Sequence, residues 1–152
     1  MNKKIQHIQV YSEAWFVGNL FNNNALLLDF LSNDMDYNRL CDEIMETDSR
    51  IRYVGVYDNG GLFGKMREGL NSFLDREETV DSLEDVVKTF TKRKSLAPKI
   101  GYTIYALETY EKVNRITIPI GTNSLILVST DAVLNPSEIV DKILQIKRKY
   151  SF

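Results

Sequence analysis

Cys41 and His7 carry the most versatile chemistry in this 152-residue chain, because they are its only cysteine and its only histidine. A thiolate can act as a nucleophile, and an imidazole can activate one or bind a metal. A single cysteine excludes an internal disulfide framework and any metal site that needs several cysteines. A single histidine excludes sites with two imidazoles, which removes most zinc hydrolases. We therefore predict no enzyme, no catalytic residues, no metal site and no cofactor.

Four glycines within ten residues are the next candidates, since glycine-rich loops can cradle a phosphate. They are Gly55, Gly60, Gly61 and Gly64. Their spacing matches neither G-x-G-x-x-G before a helix nor the P-loop pattern G-x-x-x-x-G-K-[ST]. Met66 follows Gly64-Lys65, so the hydroxyl group that would reach Mg²⁺ is missing. We interpret these glycines as part of a β-hairpin.

Clusters of charged residues have both a functional and a structural interpretation. The acidic cluster comprises Asp75, Glu77, Glu78, Asp81, Glu84 and Asp85. An EF-hand calcium loop needs ligands at alternate positions and a glycine at the sixth, so we interpret this cluster as a solvated stretch that caps a helix. The triplets Lys92-Arg93-Lys94 and Lys147-Arg148-Lys149 could contact phosphates or anionic lipid. Because the helix dipole favours cations at a C-terminus, we interpret both as solvated helix ends.

The composition is that of one ordinary globular domain. Apolar residues make up 43% of the chain and charged residues 26%, which argues against wholesale disorder. The net charge is −2, whereas a dedicated nucleic-acid-binding domain is usually strongly basic, so we expect no nucleic-acid partner. Polar residues near the start interrupt any apolar run long enough for a signal peptide, and we expect no membrane insertion. A cytoplasmic location follows, in keeping with the lone thiol.

Residues 1–35 contain apolar side chains such as Trp15, Phe16 and Leu20. Their spacing keeps neither the two-residue period of a strand nor the 3.6-residue period of a helix for long. Three explanations stay open: an added helix docked on the domain, a segment that binds a partner, or a stretch translated from an upstream start codon. We predict an N-terminal extension over 1–35, partly ordered or forming an added helix, followed by one domain over 36–152.

The first elements of that domain are a helix and a hairpin. Asp36 can cap a helix whose apolar face includes Cys41, which we interpret as a small core residue. The β-rich runs Ile51–Tyr57 and Leu62–Met66 flank Asn59-Gly60. Because asparagine and glycine tolerate the positive φ angles of tight hairpin turns, these runs predict two paired strands.

A second helix lies in the middle of the domain, after a polar stretch over 67–80 that is expected to contain a loop. Asp81 and Glu84 have the spacing of a capping box. The apolar stripe behind them comprises Leu83, Val86, Val87 and Phe90.

The region from Lys99 to Thr130 is rich in β-forming residues and predicts three strands, the first of them reaching Leu107. Leu125–Val128 is apolar on both faces, which is typical of a central strand covered on both sides. Pro119 cannot donate to a ladder, so its strand should be bulged there or have that position at an edge. Asn135-Pro136 predicts the start of a final helix.

The predicted order of elements from Asp36 is helix, two strands, helix, three strands, helix. One five-stranded antiparallel sheet with helices packed on it is the simplest solution, which is an α+β fold. In this order of elements, and in the pattern of apolar residues over Ile51–Leu62 and Arg115–Asp131, the chain resembles roadblock-type dynein light chain domains of the profilin-like group. More narrowly, it resembles small archaeal proteins of this type.

The resemblance implies a non-enzymatic module that forms a homodimer, or a heterodimer with a related domain, and regulates a small GTPase or a motor-type assembly. In that family two domains pair through the middle helix and the third strand. Carried over to this chain, the dimer surface lies over Leu83–Lys94 and Lys99–Leu107. Its candidate interface residues are Leu83, Val86, Val87, Phe90, Tyr102, Thr103 and Tyr105. For Tyr102 and Tyr105, sheet packing within one chain remains an equal alternative to interface contact.

We consider two alternative functions. PAS- and GAF-type sensor domains share much of the strand and helix order, so a small-ligand sensor is the main alternative. Such a sensor needs an apolar cavity between sheet and helices with a few converging polar groups. The third interpretation, an enzyme that uses Cys41, requires a thiol with a lowered pKa.

Overall fold

A computed structural model describes residues 36–132, 135–150 and 152 of the chain. The elements in chain order are α1 (36–46), β1 (Ile51–Asp58), β2 (Gly61–Met66), α2 (Arg76–Arg93), a 3₁₀ turn (Lys94–Leu96), α3 (Ala97–Ile100), β3 (Ala106–Thr109), β4 (Val113–Pro119), β5 (Ser124–Asp131) and α4 (Ser137–Lys149). All five strands pair antiparallel in one sheet, which confirms the predicted fold class. The predicted extension over 1–35 lies outside the described residues. None of the described helices is both long and apolar enough to cross a membrane.

The central strand of the sheet is β5, in the order β2-β1-β5-β4-β3. Its residues alternate between two hydrophobic clusters, one on each face of the sheet. Ile126 and Val128 belong to the cluster on one face, while Leu125 and Leu127 belong to the cluster on the other. The prediction of a central strand covered on both sides is therefore confirmed.

Helices α1 and α4 cover one face of the sheet. Their buried residues in this cluster are Leu40, Cys41, Ile44, Ile139, Val140, Ile143 and Ile146. They meet Val54 and Val56 of β1 and Ile116 and Ile118 of β4. Apolar side chains three and four residues apart share one side of a helix, which is why these two helices can bury a continuous stripe.

Helix α2 covers the opposite face. Leu83 and Phe90 are buried there in one cluster with Tyr57 and Leu62. Arg115 of β4 is also buried, and its Nη2 donates a hydrogen bond of 2.8 Å to Oγ of Ser82 on α2. The guanidinium group thus has a partner across the interface between helix and sheet, which a buried charged group requires.

The start of α2 differs from the prediction. The capping box is formed by Asp75 and Glu78: the Asp75 side chain accepts from the Glu78 amide, and the Glu78 carboxylate accepts from the Asp75 amide, both at 2.9 Å. The predicted box at Asp81 and Glu84 is wrong, because the helix begins at Arg76. Asp75-x-x-Glu78 has the same spacing, and the earlier start allows Val80 to pack against the sheet cluster.

The predicted hairpin between β1 and β2 is confirmed. Asn59 and Gly60 form its turn with φ angles of 46° and 91°, both in the left-handed region. Two of the other glycines serve packing: Gly55 and Gly64 face each other in the register, and the Tyr53 ring lies across them. A Cβ atom on Gly55 would lie 2.7 Å from the Tyr53 hydroxyl oxygen. These two glycines therefore make room for the half-buried ring of Tyr53.

We expect Gly64→Ala to lower the free energy of unfolding by about 1–3 kcal/mol, because its new methyl group would overlap the Tyr53 ring. Urea unfolding followed by circular dichroism measures this change. Gly121→Ala is the matched control, since a Cβ there meets Ser124 at an ordinary 3.4 Å. In a Tyr53→Leu background the cost of Gly64→Ala should shrink, and an equal cost in both backgrounds would contradict the proposed clash.

Candidate interaction surface

Strand β3 lies at one edge of the sheet and contains only four residues, Ala106–Thr109. The prediction of a strand over the region from Lys99 to Leu107 is therefore wrong for most of its length. The 3₁₀ turn and α3 occupy residues 94–100, and Gly101 then turns the chain with a φ angle of 83°. Residues 101–105 approach β3 without joining the ladder.

Pro119 explains why the ladder between β3 and β4 stops. The register pairs Ala106 with Thr117, so continuing it would place Ile104 opposite Pro119. The Ile120 amide donates to Ser124 on the β5 side, so the alternation of a strand puts the Pro119 nitrogen on the β3 side. Proline has no hydrogen to donate there. Strand β4 is interior, but the nitrogen of Pro119 faces the side on which the ladder to β3 has already ended, so it interrupts no pairing there.

The chain around this edge exposes an unusual amount of apolar surface. Seven large apolar side chains between residues 96 and 110 are more than one-third exposed, namely Leu96, Ile100, Tyr102, Ile104, Tyr105, Leu107 and Tyr110. We call this set the edge surface. Ile100 is 78% exposed, Tyr102 77% and Ile104 63%. Large apolar side chains that are exposed together in one short stretch indicate an interaction site more strongly than single exposed apolar residues do.

The residues predicted for an interface fall into two groups. Leu83 and Phe90 are buried within their own chain, and Val86 and Val87 are half-buried against the same cluster. These four hold α2 on the sheet. The other three lie beside β3, where Tyr102 and Tyr105 are exposed and Thr103 is half-buried. Contact of either group with a partner stays a prediction.

Ile100, Ile104 and Leu107 lie within the stretch Lys99–Leu107 that the resemblance gave for the interface, although they were not named singly. All three are exposed members of the edge surface. The sequence carries a further signal, because no charged residue lies between Lys99 and Glu108. An uncharged run beside a sheet edge is unusual unless something covers it, since edge strands commonly carry charges that block pairing.

Cys41 is a core residue of α1, with only 2% of its surface exposed. Burial raises the pKa of its thiol to about 12, and the charge of Asp42 adds to this effect. The thiol is therefore protonated at neutral pH, whereas a nucleophile would need the thiolate. The interpretation of Cys41 as a small core residue is confirmed.

Two depressions on the described part of the molecule are both open to solvent. The first, of about 250 Å³, is lined by Phe90, Lys94, Tyr102, Thr103, Pro119, Gly121 and Lys147. The second, of about 360 Å³, is lined by Tyr57, Asn59, Gly60, Glu84, Val87, Lys88 and Asn123. Neither is the enclosed apolar cavity that a small-ligand sensor needs.

No protein-family model and no curated protein sequence matches the chain. Solved structures do resemble it. Myxococcus xanthus MglB superposes with a TM-score of 0.62 at 14% identity, covering 76% of this chain and 92% of MglB. A roadblock/LC7 domain from Streptomyces avermitilis has a TM-score of 0.53 at 8% identity, with 74% and 92% covered. The gliding protein MglB from Thermus thermophilus has a TM-score of 0.50 at 16% identity, with 74% and 91% covered.

At these identities the likeness concerns the fold alone. It extends over about three-quarters of this chain and nearly the whole of each of these relatives. The α+β sheet with helices on both faces is therefore a fold of the roadblock/LC7 type.

Proposed function

We propose that this chain is a non-catalytic regulatory or scaffold module that dimerises through the edge surface and acts on a small GTPase or a motor-type assembly. The observation that carries the proposal is the exposed apolar side chains beside β3 in a domain with a roadblock-type fold. The GTPase as the kind of partner rests on the family resemblance.

The edge surface favours association for two physical reasons. Burying exposed apolar surface stabilises a complex by roughly 25 cal/mol per Å². Ile100, Tyr102 and Ile104 each leave more than half of their surface exposed and so available for burial. Among the described residues, no strand lies on the outer side of β3, so the backbone groups there can pair with another strand. A second domain that adds its own edge strand would cover the apolar side chains and pair with the backbone groups of β3 in the same contact.

Helix α2 has a supporting role in this arrangement. Its buried residues Leu83 and Phe90 fix its position on the sheet, and the bond between Arg115 and Ser82 fixes it against β4. Val86 and Val87 are only half-buried, so part of their surface remains for a partner. A second copy and a related domain are both compatible with this surface, and in either case the proposed contact joins α2 and the edge surface.

We expect the full chain to form dimers at micromolar concentration, as measured by sedimentation equilibrium. The double variant Tyr102→Ser/Ile104→Ser should raise the dissociation constant by about tenfold or more, because it removes two large apolar contacts. Phe73→Ser is the matched control, since Phe73 is 57% exposed but lies in the loop before α2. A chain that stays monomeric throughout the micromolar range counts decisively against self-association.

A proline at position 105 tests the pairing of strands separately from apolar contact. Tyr105 lies outside the ladder between β3 and β4, so Tyr105→Pro removes an amide donor that the folded chain does not use in that ladder. We expect this variant to keep the thermal stability of the wild type and to lose dimerisation in the same measurement. Unchanged dimerisation would show that association does not add strands at this edge.

The GTPase proposal is tested by isolating the chain from its host together with the proteins bound to it. We expect a small GTPase among them, and we expect addition of the purified chain to change the rate at which that GTPase hydrolyses or exchanges nucleotide. The Tyr102→Ser/Ile104→Ser variant should show a weaker effect if dimerisation is required. If the dimer forms but changes neither rate, the proposed regulation of a GTPase is contradicted and the proposed scaffold function stands.

A further inference from the structure

The two basic triplets of the sequence meet at one end of the molecule. Lys92-Arg93-Lys94 lies at the end of α2, and Lys147-Arg148-Lys149 lies at the end of α4, on the opposite face of the sheet. The depression of about 250 Å³ is lined by one lysine from each triplet, Lys94 and Lys147. We call this depression the lysine cleft. The two lysines are far apart in the sequence, which gives no indication of this proximity.

Neither lysine in the cleft has an acidic partner among the described residues. Lys142 pairs with Asp48 and Lys149 pairs with Glu43, whereas Lys94 and Lys147 form no ion pair in the described chain. The Lys147 ammonium group donates a bond of 2.8 Å to the Pro119 carbonyl, and its burial lowers its pKa. No carboxylate of the described part of the chain lines the cleft, so a bound anion would supply negative charge there.

Two residues with hydroxyl groups also line the cleft. They are Tyr102 and Thr103, and neither side chain makes a hydrogen bond to another described residue. Phe90 adds an apolar wall, and Gly121 leaves its side of the cleft free of a side chain. We propose that the lysine cleft binds a phosphate group, either of a soluble phosphomonoester or of a lipid headgroup.

The donor set favours phosphate over a carboxylate. Two ammonium groups carry two positive charges, whereas a carboxylate carries one negative charge. A phosphomonoester carries up to two negative charges on three terminal oxygens, so it matches the two lysines better. Lysine is a common phosphate-binding residue that acts as a point charge. The cleft volume also leaves room for part of the molecule that carries the phosphate, with contact to Phe90 and Tyr102. The cleft shares Tyr102 and Thr103 with the proposed dimer interface, but phosphate binding does not depend on the proposed GTPase regulation.

The experiment titrates the isotope-labelled full chain with inorganic phosphate and, in parallel, with sodium chloride at equal ionic strength. We expect phosphate to shift the backbone NMR signals of cleft residues such as Lys94, Thr103, Gly121 and Lys147, and chloride to leave them in place. Lys94→Gln/Lys147→Gln should raise the dissociation constant by about tenfold or more, which corresponds to two weakened charge-assisted contacts.

Lys92→Gln/Lys149→Gln is the matched control, because it removes the same charge from the same two triplets at positions that do not line the cleft. It should change the dissociation constant by less than about twofold, since exposed charges act weakly at a distance. Equal weakening by both pairs overturns the proposal in favour of general electrostatic attraction. If the cleft variant does not fold, the wild-type signals decide: phosphate-specific shifts at the cleft support the site, and their absence overturns it.

Vesicles separate the two sources of phosphate. Phosphatidylcholine vesicles with phosphatidic acid present a phosphomonoester headgroup, and pure phosphatidylcholine vesicles do not. Cosedimentation with the former, lost in Lys94→Gln/Lys147→Gln and kept in the control pair, supports the site with a lipid headgroup as its ligand. Binding of inorganic phosphate without cosedimentation supports the site with a soluble phosphomonoester.

Discussion

The structure depends on one constraint, which is that the central strand β5 is apolar on both faces. Ile126 and Val128 point into one cluster and Leu125 and Leu127 into the other, and all four are buried. Leaving either pair in water would cost on the order of 1.5–3 kcal/mol per side chain, so both faces of the sheet need a cover. Helices α1 and α4 provide one cover and α2 the other. The layered arrangement of the domain follows from this requirement.

The face of the sheet that α2 covers combines apolar, aromatic and charged side chains. Its cluster combines Leu83 and Phe90 with the tyrosines Tyr53 and Tyr57, and it also buries Arg115. Large aromatic rings need space, and the paired glycines at positions 55 and 64 provide it beneath Tyr53. Burial raises the pKa of Tyr53, which keeps its hydroxyl neutral. Helix α2 is thus held by shape and apolar area, and by two hydrogen bonds, from Arg115 to Ser82 and from Arg76 to the Leu62 carbonyl.

A sheet covered on both faces still has two edges, and exposed apolar side chains lie beside the edge at β3. Pro119 ends the ladder after four residue pairs, so the chain before Ala106 runs on without a strand partner. That stretch is uncharged and rich in isoleucine and tyrosine. A domain that functioned alone would gain solubility from charges at such an edge. The same region adjoins the lysine cleft through Tyr102 and Thr103, which brings both proposed sites to one end of the sheet.

Local signals in the sequence determined the fold class, the hairpin at Asn59-Gly60, the central position of β5 and the burial of Cys41. Each depends on a short-range property, such as a φ preference or the alternation of apolar residues, that neighbouring residues express by themselves. The start of α2 was predicted wrongly, because two capping-box patterns with the same spacing lie six residues apart. The helix begins at the earlier pattern, and Val80 in its second turn packs on the sheet cluster. Tertiary structure alone decided where β3 begins, since that depends on Pro119 standing opposite Ile104. It also decided which lysines meet, because Lys94 and Lys147 come from helices on opposite faces and no local pattern relates them.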